Sequence, residues 1–255
     1  MKKVSLSLFV LSVIVILLAL YYPEKYAPTI EGGNIKVVAV HCDTGAVEVR
    51  ALLKRGMEKV DSIKSPIIGE AAVDLLKYQP ESPLMNFAAD ALLEMAQRYS
   101  AVKVDIAITN KGGLRSELQK GVITFGDIYA VFPFENTLAM LTLSGEQLWQ
   151  LCSEIASVGG EAISGMRIEM TPQGELLSVY VGDEPLDDFS KMYRVATSDY
   201  LAQGNDKMTA LALGTDRVVL YDVTLRDIMI QYIKELAEGG EKVIAECDGR
   251  IKIIE

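Results

Sequence analysis

A globular fold of interleaved strands and amphipathic helices is the class that this sequence predicts, and three observations predict it. Short apolar or alternating runs, such as those at residues 104–109 and 176–181, end in Gly, Asn or Asp clusters, the pattern of strands entering turns. Between them lie helix signals: Ser82-Pro83 ahead of apolar residues at three- and four-residue spacing, and Ser144 with Gln147 as a capping box. At 255 residues, half of them hydrophobic, the chain is long enough for a sizeable core, as one domain with extras or two small ones.

Met1-Lys2-Lys3 opens the chain, and an apolar run at residues 4–22 follows, broken only by Ser5, Ser7 and Ser12. As a helix its 19 residues would span roughly 28 Å at about 1.5 Å per residue, close to the hydrocarbon thickness of a bilayer. Lys2 and Lys3 would keep the N-terminus in the cytoplasm and place the remainder outside. Leu18-Ala19-Leu20-Tyr21 lacks the alternating small residues of a signal-peptide cleavage site, and Tyr21, Tyr22 and Tyr26 suit an interfacial aromatic belt. An exported chain is expected, anchored in the inner membrane by residues 1–22 and facing the periplasm or exterior, or secreted if that segment is cleaved.

Residues 23–65 read as a linker, with a polar spacer at 23–33, a strand at 35–41 and a helix at 47–63. Val49, Leu52, Leu53, Met57 and Val60 share one side of that helix, which Pro66 ends. His41, the only histidine, falls at a strand end, where a polar residue needs no ligand role.

A domain is expected from 66 to 255. It opens with strand candidates at 67–71 and Leu75-Leu76. The helix begun by Ser82 buries Leu84, Phe87, Ala88, Ala91, Leu92 and Met95, while Asn86 and Asp90 lie one turn apart, suited to pairing or loop capping. A buried strand at 104–109 empties into Asn110-Lys111-Gly112-Gly113, where two glycines permit positive φ and close backbone approach. Arg115 follows, then a Gly126-Asp127-Ile128-Tyr129 turn, a hydrophobic run, and Phe134 beside Pro133. After a strand at 138–143 comes the capped helix through Ser157, with Trp149 in the core. Three strands are expected at 165–170, 176–181 and 193–196, with Gly174 and Gly182-Asp183 in turns. The last delivers a second loop, 197–207, carrying Tyr200, Gly204, Asn205 and Asp206. An amphipathic helix at 223–238 and a strand at 249–254 close the chain.

The formal charge of −10 argues against a non-specific binder of nucleic acid polymers, which needs a basic face to replace phosphate counterions. Any nucleotide here is bound as a small molecule. Cys42, Cys152 and Cys247 have no CxxC spacing, which excludes a zinc ribbon or thioredoxin motif. One disulfide would leave a thiol over; three buried free thiols is the simpler reading.

The two strand-end loops resemble each other, and together they suggest a clamp. Phe134 and Tyr200 on separate loops can hold a planar ring, with stacking worth about 1–3 kcal/mol per aromatic. Asn110 offers a donor and an acceptor, Asp206 can accept from ribose hydroxyls or a ring N–H, and Arg115 can take a phosphate bidentately.

From about Pro66 onward the chain resembles the C-terminal, substrate-binding domain of the bacterial 5'-nucleotidase and UDP-sugar hydrolase family. The segments that carry the resemblance are ESPLMNFAADAL, DIAITNKGGLRSEL, ITFGDIYAVFPFEN, LSGEQL, ISGMRIEM, YRVATSDYLAQGND and DGRIKII, in the family's order over some three quarters of the chain. The resemblance implies an α+β domain of mixed sheets with packed helices and a nucleoside slot between Phe134 and Tyr200. It implies that Asn110 and Asp206 contact the nucleoside and that Arg115 holds the phosphate. The family usually has glycine where Met85, Lys111, Glu135, Asn205 and Lys207 stand, and some members carry a second phosphate-binding Arg where this chain has Pro80.

In the family a preceding metallophosphoesterase domain performs hydrolysis through two metals held by Asp, His and Asn. Residues 23–65 are too few for such a domain, and metal-assisted attack by water needs the ions and their ligands. No cofactor is therefore expected in this chain, and divalent metals are expected only in a partner catalytic chain. Three readings result: a nucleotide-recognition subunit completed by a separate metallophosphoesterase chain; a membrane-anchored nucleoside or nucleotide binding protein without catalysis; and a degenerate module whose pocket Lys111 and Glu135 block.

Overall fold

Ser82 and Pro83 start a helix where the sequence puts it. In the computed structural model, which describes residues 49, 51, 53–56, 60, 62 and 64–255, the Ser82 hydroxyl accepts the Met85 amide at the head of α1 (Pro83–Arg98). The expected apolar helix at 4–22, the strand at 35–41, His41 and Cys42 lie outside the described residues. Residues 53–255 form one compact unit. The described residues of the expected helix at 47–63 are helical, with Val49, Leu53 and Val60 exposed. Among the described residues no helix is long and apolar enough to cross a membrane.

The centre is a mixed five-stranded sheet whose period-two alternation buries both faces. Its strands are β2 (Ile106–Thr109), β4 (Thr137–Ser144), β5 (Ala162–Ser164), β9 (Met192–Ser198) and β10 (Thr215–Thr224), in the order β10-β4-β9-β2-β5. Only β2 and β9 pair parallel; the other neighbours run antiparallel. Ala107, Leu138, Met140 and Ala196 face a core shared with α1 and the terminal helix α5 (Leu225–Glu238). Ile106, Ile108, Ala139, Leu141 and Val195 face the opposite core, with α3 (Gly145–Ser157) and a second sheet. That second sheet has the order β11-β6-β7-β8, from β6 (Met166–Met170), β7 (Leu176–Val181), β8 (Glu184–Pro185) and β11 (Ile251–Ile253). β1 (Ile67–Ala71) pairs antiparallel with β3 (Gly121–Thr124). The α+β class with mixed sheets is therefore the observed one.

Cap chemistry decides several boundaries. Ser144 and Gln147 form the expected capping box at the head of α3, and Thr224 caps α5 one residue after the expected start. Asn86 and Asp90 act as loop and ion-pair partners: Asn86 Nδ2 donates to Glu81 (2.7 Å) and the Glu246 carbonyl (2.8 Å), and Asp90 pairs with Arg250 (2.7 Å).

The differences from expectation have local causes. Residues 126–129 form no turn but lie in α2 (Phe125–Val131), because Thr124 and Asp127 make a reciprocal capping box. Leu75 makes only an isolated bridge with Leu118 rather than a strand. Residues 199–202 of the second loop are a short helix, α4 (Asp199–Ala202), capped by Ser198. β10 escapes an alternation reading because register shifts interrupt it and it lies at the sheet edge, paired on one side only. Trp149 is half-buried at the core margin, against Phe189 at 6.0 Å. Cys152 is a buried free thiol as expected, whereas Cys247 is exposed, near the Tyr78 hydroxyl at 3.4 Å.

Candidate functional site

Parallel pairing of β2 with β9 brings the two loops together. Ile106 is opposite Val195 and Ala107 opposite Ala196, so both strands end on the same side of the sheet. β4, antiparallel to β9, starts at that end with Leu138 opposite Ser198, and so brings in the segment around Phe134 and Asn136. Three pieces of chain distant in sequence thus meet at one sheet end.

The first loop leaves β2 at Asn110, which is buried, and makes a 3-10 turn over Lys111–Gly113. Neither glycine has the positive φ that the sequence suggested. Glycine is needed for space instead: a Cβ on Gly113 would lie 2.7 Å from Asn110 Oδ1. Arg115 follows, its amide donating to Val131 O (2.9 Å), its Nη1 to Gly112 O (3.3 Å), and its guanidinium 5.9 Å from the Phe134 ring centroid.

The second loop turns through Gly204, Asp206 and Lys207, all with positive φ. Asp206 accepts two bonds, from Asn110 Nδ2 (2.5 Å) and from the Tyr200 hydroxyl (2.8 Å), while Asn205 Nδ2 donates to Tyr200 O (2.8 Å). The bond to Asp206 holds the Tyr200 phenol above its ordinary pKa.

Asn110, Arg115, Phe134, Tyr200 and Asp206, the five residues singled out in the sequence, all line one cavity of about 350 Å³. Gly112, Gly113 and Asn136 complete its lining. Asn136 was missed in the sequence; the signal was its place just before β4, the mirror of Asn110 just after β2. Phe134 and Tyr200 are 48% and 38% exposed, large apolar surfaces left open in a concave site.

The bulky residues expected to crowd the pocket turn elsewhere. Lys111 Nζ donates to Gln79 Oε1 (2.5 Å), and Glu135 pairs with Arg226. Neither lines the cavity, and nor do Asn205 and Lys207, so the reading of a pocket blocked by Lys111 and Glu135 is corrected. Beneath the loop Glu161, 8% exposed, accepts the Lys111 amide; burial pushes its carboxyl up to about 7 against that bond.

The lining holds no serine, cysteine, histidine or lysine. Among the described residues no group of three His, Cys, Asp or Glu side chains could hold a metal ion. The lining presents two aromatic faces, two amides, one carboxylate and one cation.

The sequence pattern of the family "5'-nucleotidase, C-terminal domain" matches residues 67–213. The chain belongs to this family. Solved and curated relatives agree with that placement. The 5'-nucleotidase precursor from Thermus thermophilus superposes with a TM-score of 0.70 at 30% identity, over 82% of this chain and 43% of that one. The trifunctional nucleotide phosphoesterase protein YfkN of Bacillus subtilis is 29% identical over 91% of this chain and 17% of its own length. Cell wall protein Lmo0130 of Listeria monocytogenes is 25% identical over 81% of this chain and 29% of its own. The chain spans less than half the length of each of these relatives.

Proposed function

We propose that this 5'-nucleotidase C-terminal domain binds a nucleoside or nucleoside monophosphate and contributes substrate recognition to nucleotide hydrolysis whose metal chemistry belongs to a separate metallophosphoesterase chain. The observation that carries this reading is the convergence of Phe134 and Tyr200, from two distant loops, on one cavity that also holds Arg115 and the hydrogen-bonded Asn110 and Asp206. A purine or pyrimidine ring between the aromatics gains stacking free energy of about 1–3 kcal/mol per ring. Asp206, whose two carboxylate oxygens each accept one bond, retains lone pairs for a ribose hydroxyl. Arg115 is the cation of the lining and suits one phosphate.

Assignment of the metal chemistry outside this domain is supported by the donor inventory of the described residues, in which no group of three His, Cys, Asp or Glu side chains could hold a metal ion. Calorimetric titration of the protein with adenosine, AMP and inorganic phosphate tests the recognition step. Binding of adenosine and AMP, abolished by Phe134→Ala with Tyr200→Ala, is the expected result; no heat with either ligand would refute it. Mixing with metallophosphoesterases from the same source should then raise their turnover of nucleoside monophosphates.

A second reading, a membrane-anchored binding protein without catalysis, is favoured by the apolar run at residues 4–22 and by the likeness to a Listeria protein named for the cell wall. Export is common to both readings. AMP that raises the melting temperature without any partner raising turnover would select the second.

A further inference from the structure

We infer that Arg226 is a positioning residue for the aromatic wall of the cleft, holding residues 132–136 in the shape that presents Phe134; the inference deepens the proposed nucleoside recognition and rests on it. Residues 132–136 belong to no helix or strand. Beyond the Phe132 amide, which donates to Ile128 O, their hydrogen bonds to the rest of the fold come from the first turn of α5. Arg226 is 5% exposed, and its Nη1 donates to the carbonyls of Phe132 (3.2 Å) and Pro133 (3.4 Å). Its Nη2 donates to the Glu135 carboxylate, and its guanidinium sits 4.2 Å from the Tyr129 ring centroid. Next to it, the Leu225 amide donates to Asn136 O at 2.9 Å. Phe134 is thereby flanked, before and after, by residues tied to one side chain.

The chemistry suits a fixed wall. A planar guanidinium reaches two carbonyls and a carboxylate at once, which a lysine ammonium cannot reproduce. The Glu135 side chain is 77% exposed, so solvent screens the ion pair and the two carbonyl bonds do more of the holding. Arg226 Nε is buried without a partner, an orphan donor kept beside the bonds that the fork makes. A wall ordered before the ligand arrives spares the loop the entropy loss of ordering on binding.

The test uses the full chain as parent, Arg226→Met, Arg226→Lys and Glu135→Gln, each also in a Phe134→Ala background. Hydrogen exchange without ligand reads the loop, and calorimetry with AMP reads the cleft. Arg226→Met is expected to speed exchange at the amides of Phe132 and Leu225, which donate to Ile128 O and Asn136 O, by about tenfold while β4 and β9 are unchanged. It is expected to weaken AMP by about tenfold in the parent and not further in the Phe134→Ala background. Arg226→Lys should fall between, with Glu135→Gln nearest the parent, and these two carry the same readouts should Arg226→Met fail to fold. Unchanged exchange at Phe132 and Leu225 overturns the inference, as does an equal loss of AMP affinity in both backgrounds. Faster exchange in a protein that binds no AMP at all would sink the recognition reading while leaving Arg226 as the residue that positions Phe134.

Discussion

Asn110 and Asp206, 96 positions apart in sequence, are joined by a hydrogen bond of 2.5 Å from Nδ2 to Oδ2. That bond ties the end of β2 to the turn beyond α4 and forms the floor of the cleft. Because the other Asp206 oxygen takes the Tyr200 hydroxyl, one carboxylate sets both the floor and one aromatic wall.

Removing that carboxylate should loosen both. Asp206→Ala leaves the buried Asn110 amide and the Tyr200 hydroxyl without their acceptor, so a stability loss of about 1–2 kcal/mol in urea unfolding is expected, together with loss of AMP binding. Tyr200→Phe keeps the ring and gives up one bond, and should cost less affinity than Tyr200→Ala. Equal losses from the two Tyr200 variants would show that stacking plays no part.

Gly113→Ala probes the loop without altering its charge. The new methyl group would stand 2.7 Å from Asn110 Oδ1, so Asn110 must swing away from Asp206. Weakened AMP binding with a stability loss no larger than that of Asp206→Ala is expected, by calorimetry and urea unfolding. Retained affinity would mean that Asn110 is not needed in place.

Glu161 makes stability depend on pH. Its carboxyl, pushed from its usual value near 4.5 up to about 7 by burial, holds a proton in the folded chain that the unfolded chain has already released. Its contribution is therefore full below pH 4.5 and lost as pH rises to about 7, a penalty of about 3 kcal/mol at most. Glu161→Gln keeps an acceptor for the Lys111 amide and removes the charge. The variant should be more stable than the parent at pH 8, with the gain gone by pH 5; denaturant unfolding at both pH values decides.

Arg250 joins three parts of the domain. It bonds Asp90 on α1 (2.7 Å), the Ile163 carbonyl of β5 (2.9 Å) and Asp248 (2.7 Å). Bonded to Arg250, Asp248 keeps its carboxyl below the ordinary value, so this contribution is present at neutral pH and lost as pH falls through that lowered value. Arg250→Met should cost about 2 kcal/mol at pH 7 and less at pH 3. A cost independent of pH would place the effect in packing alone.

Local chemistry made much of the fold legible. Ser82-Pro83, the Ser144 and Gln147 pair and the apolar spacing of α1 specify helices through bonds and faces only a few residues long. The Thr124 and Asp127 capping box carried the same kind of signal, and the helix it starts could have been read from it. β10 could not, because an exposed edge strand with register shifts has no regular buried face to announce it.

By itself the sequence determined the strand-end loops, their aromatics and the five polar and aromatic residues that line the cleft, since each is a local pattern of turn former, strand and side chain. Only the tertiary structure decided that they share one cavity, through the parallel pairing of β2 with β9 and the entry of β4 at the same end. It also decided where the long charged side chains went. Lys111 and Glu135 flank cleft residues in sequence, yet Gln79 and Arg226, more than thirty and ninety positions away, draw them aside. A side chain's direction depends on which distant partner can satisfy its charge, and that partner is brought near only by folding.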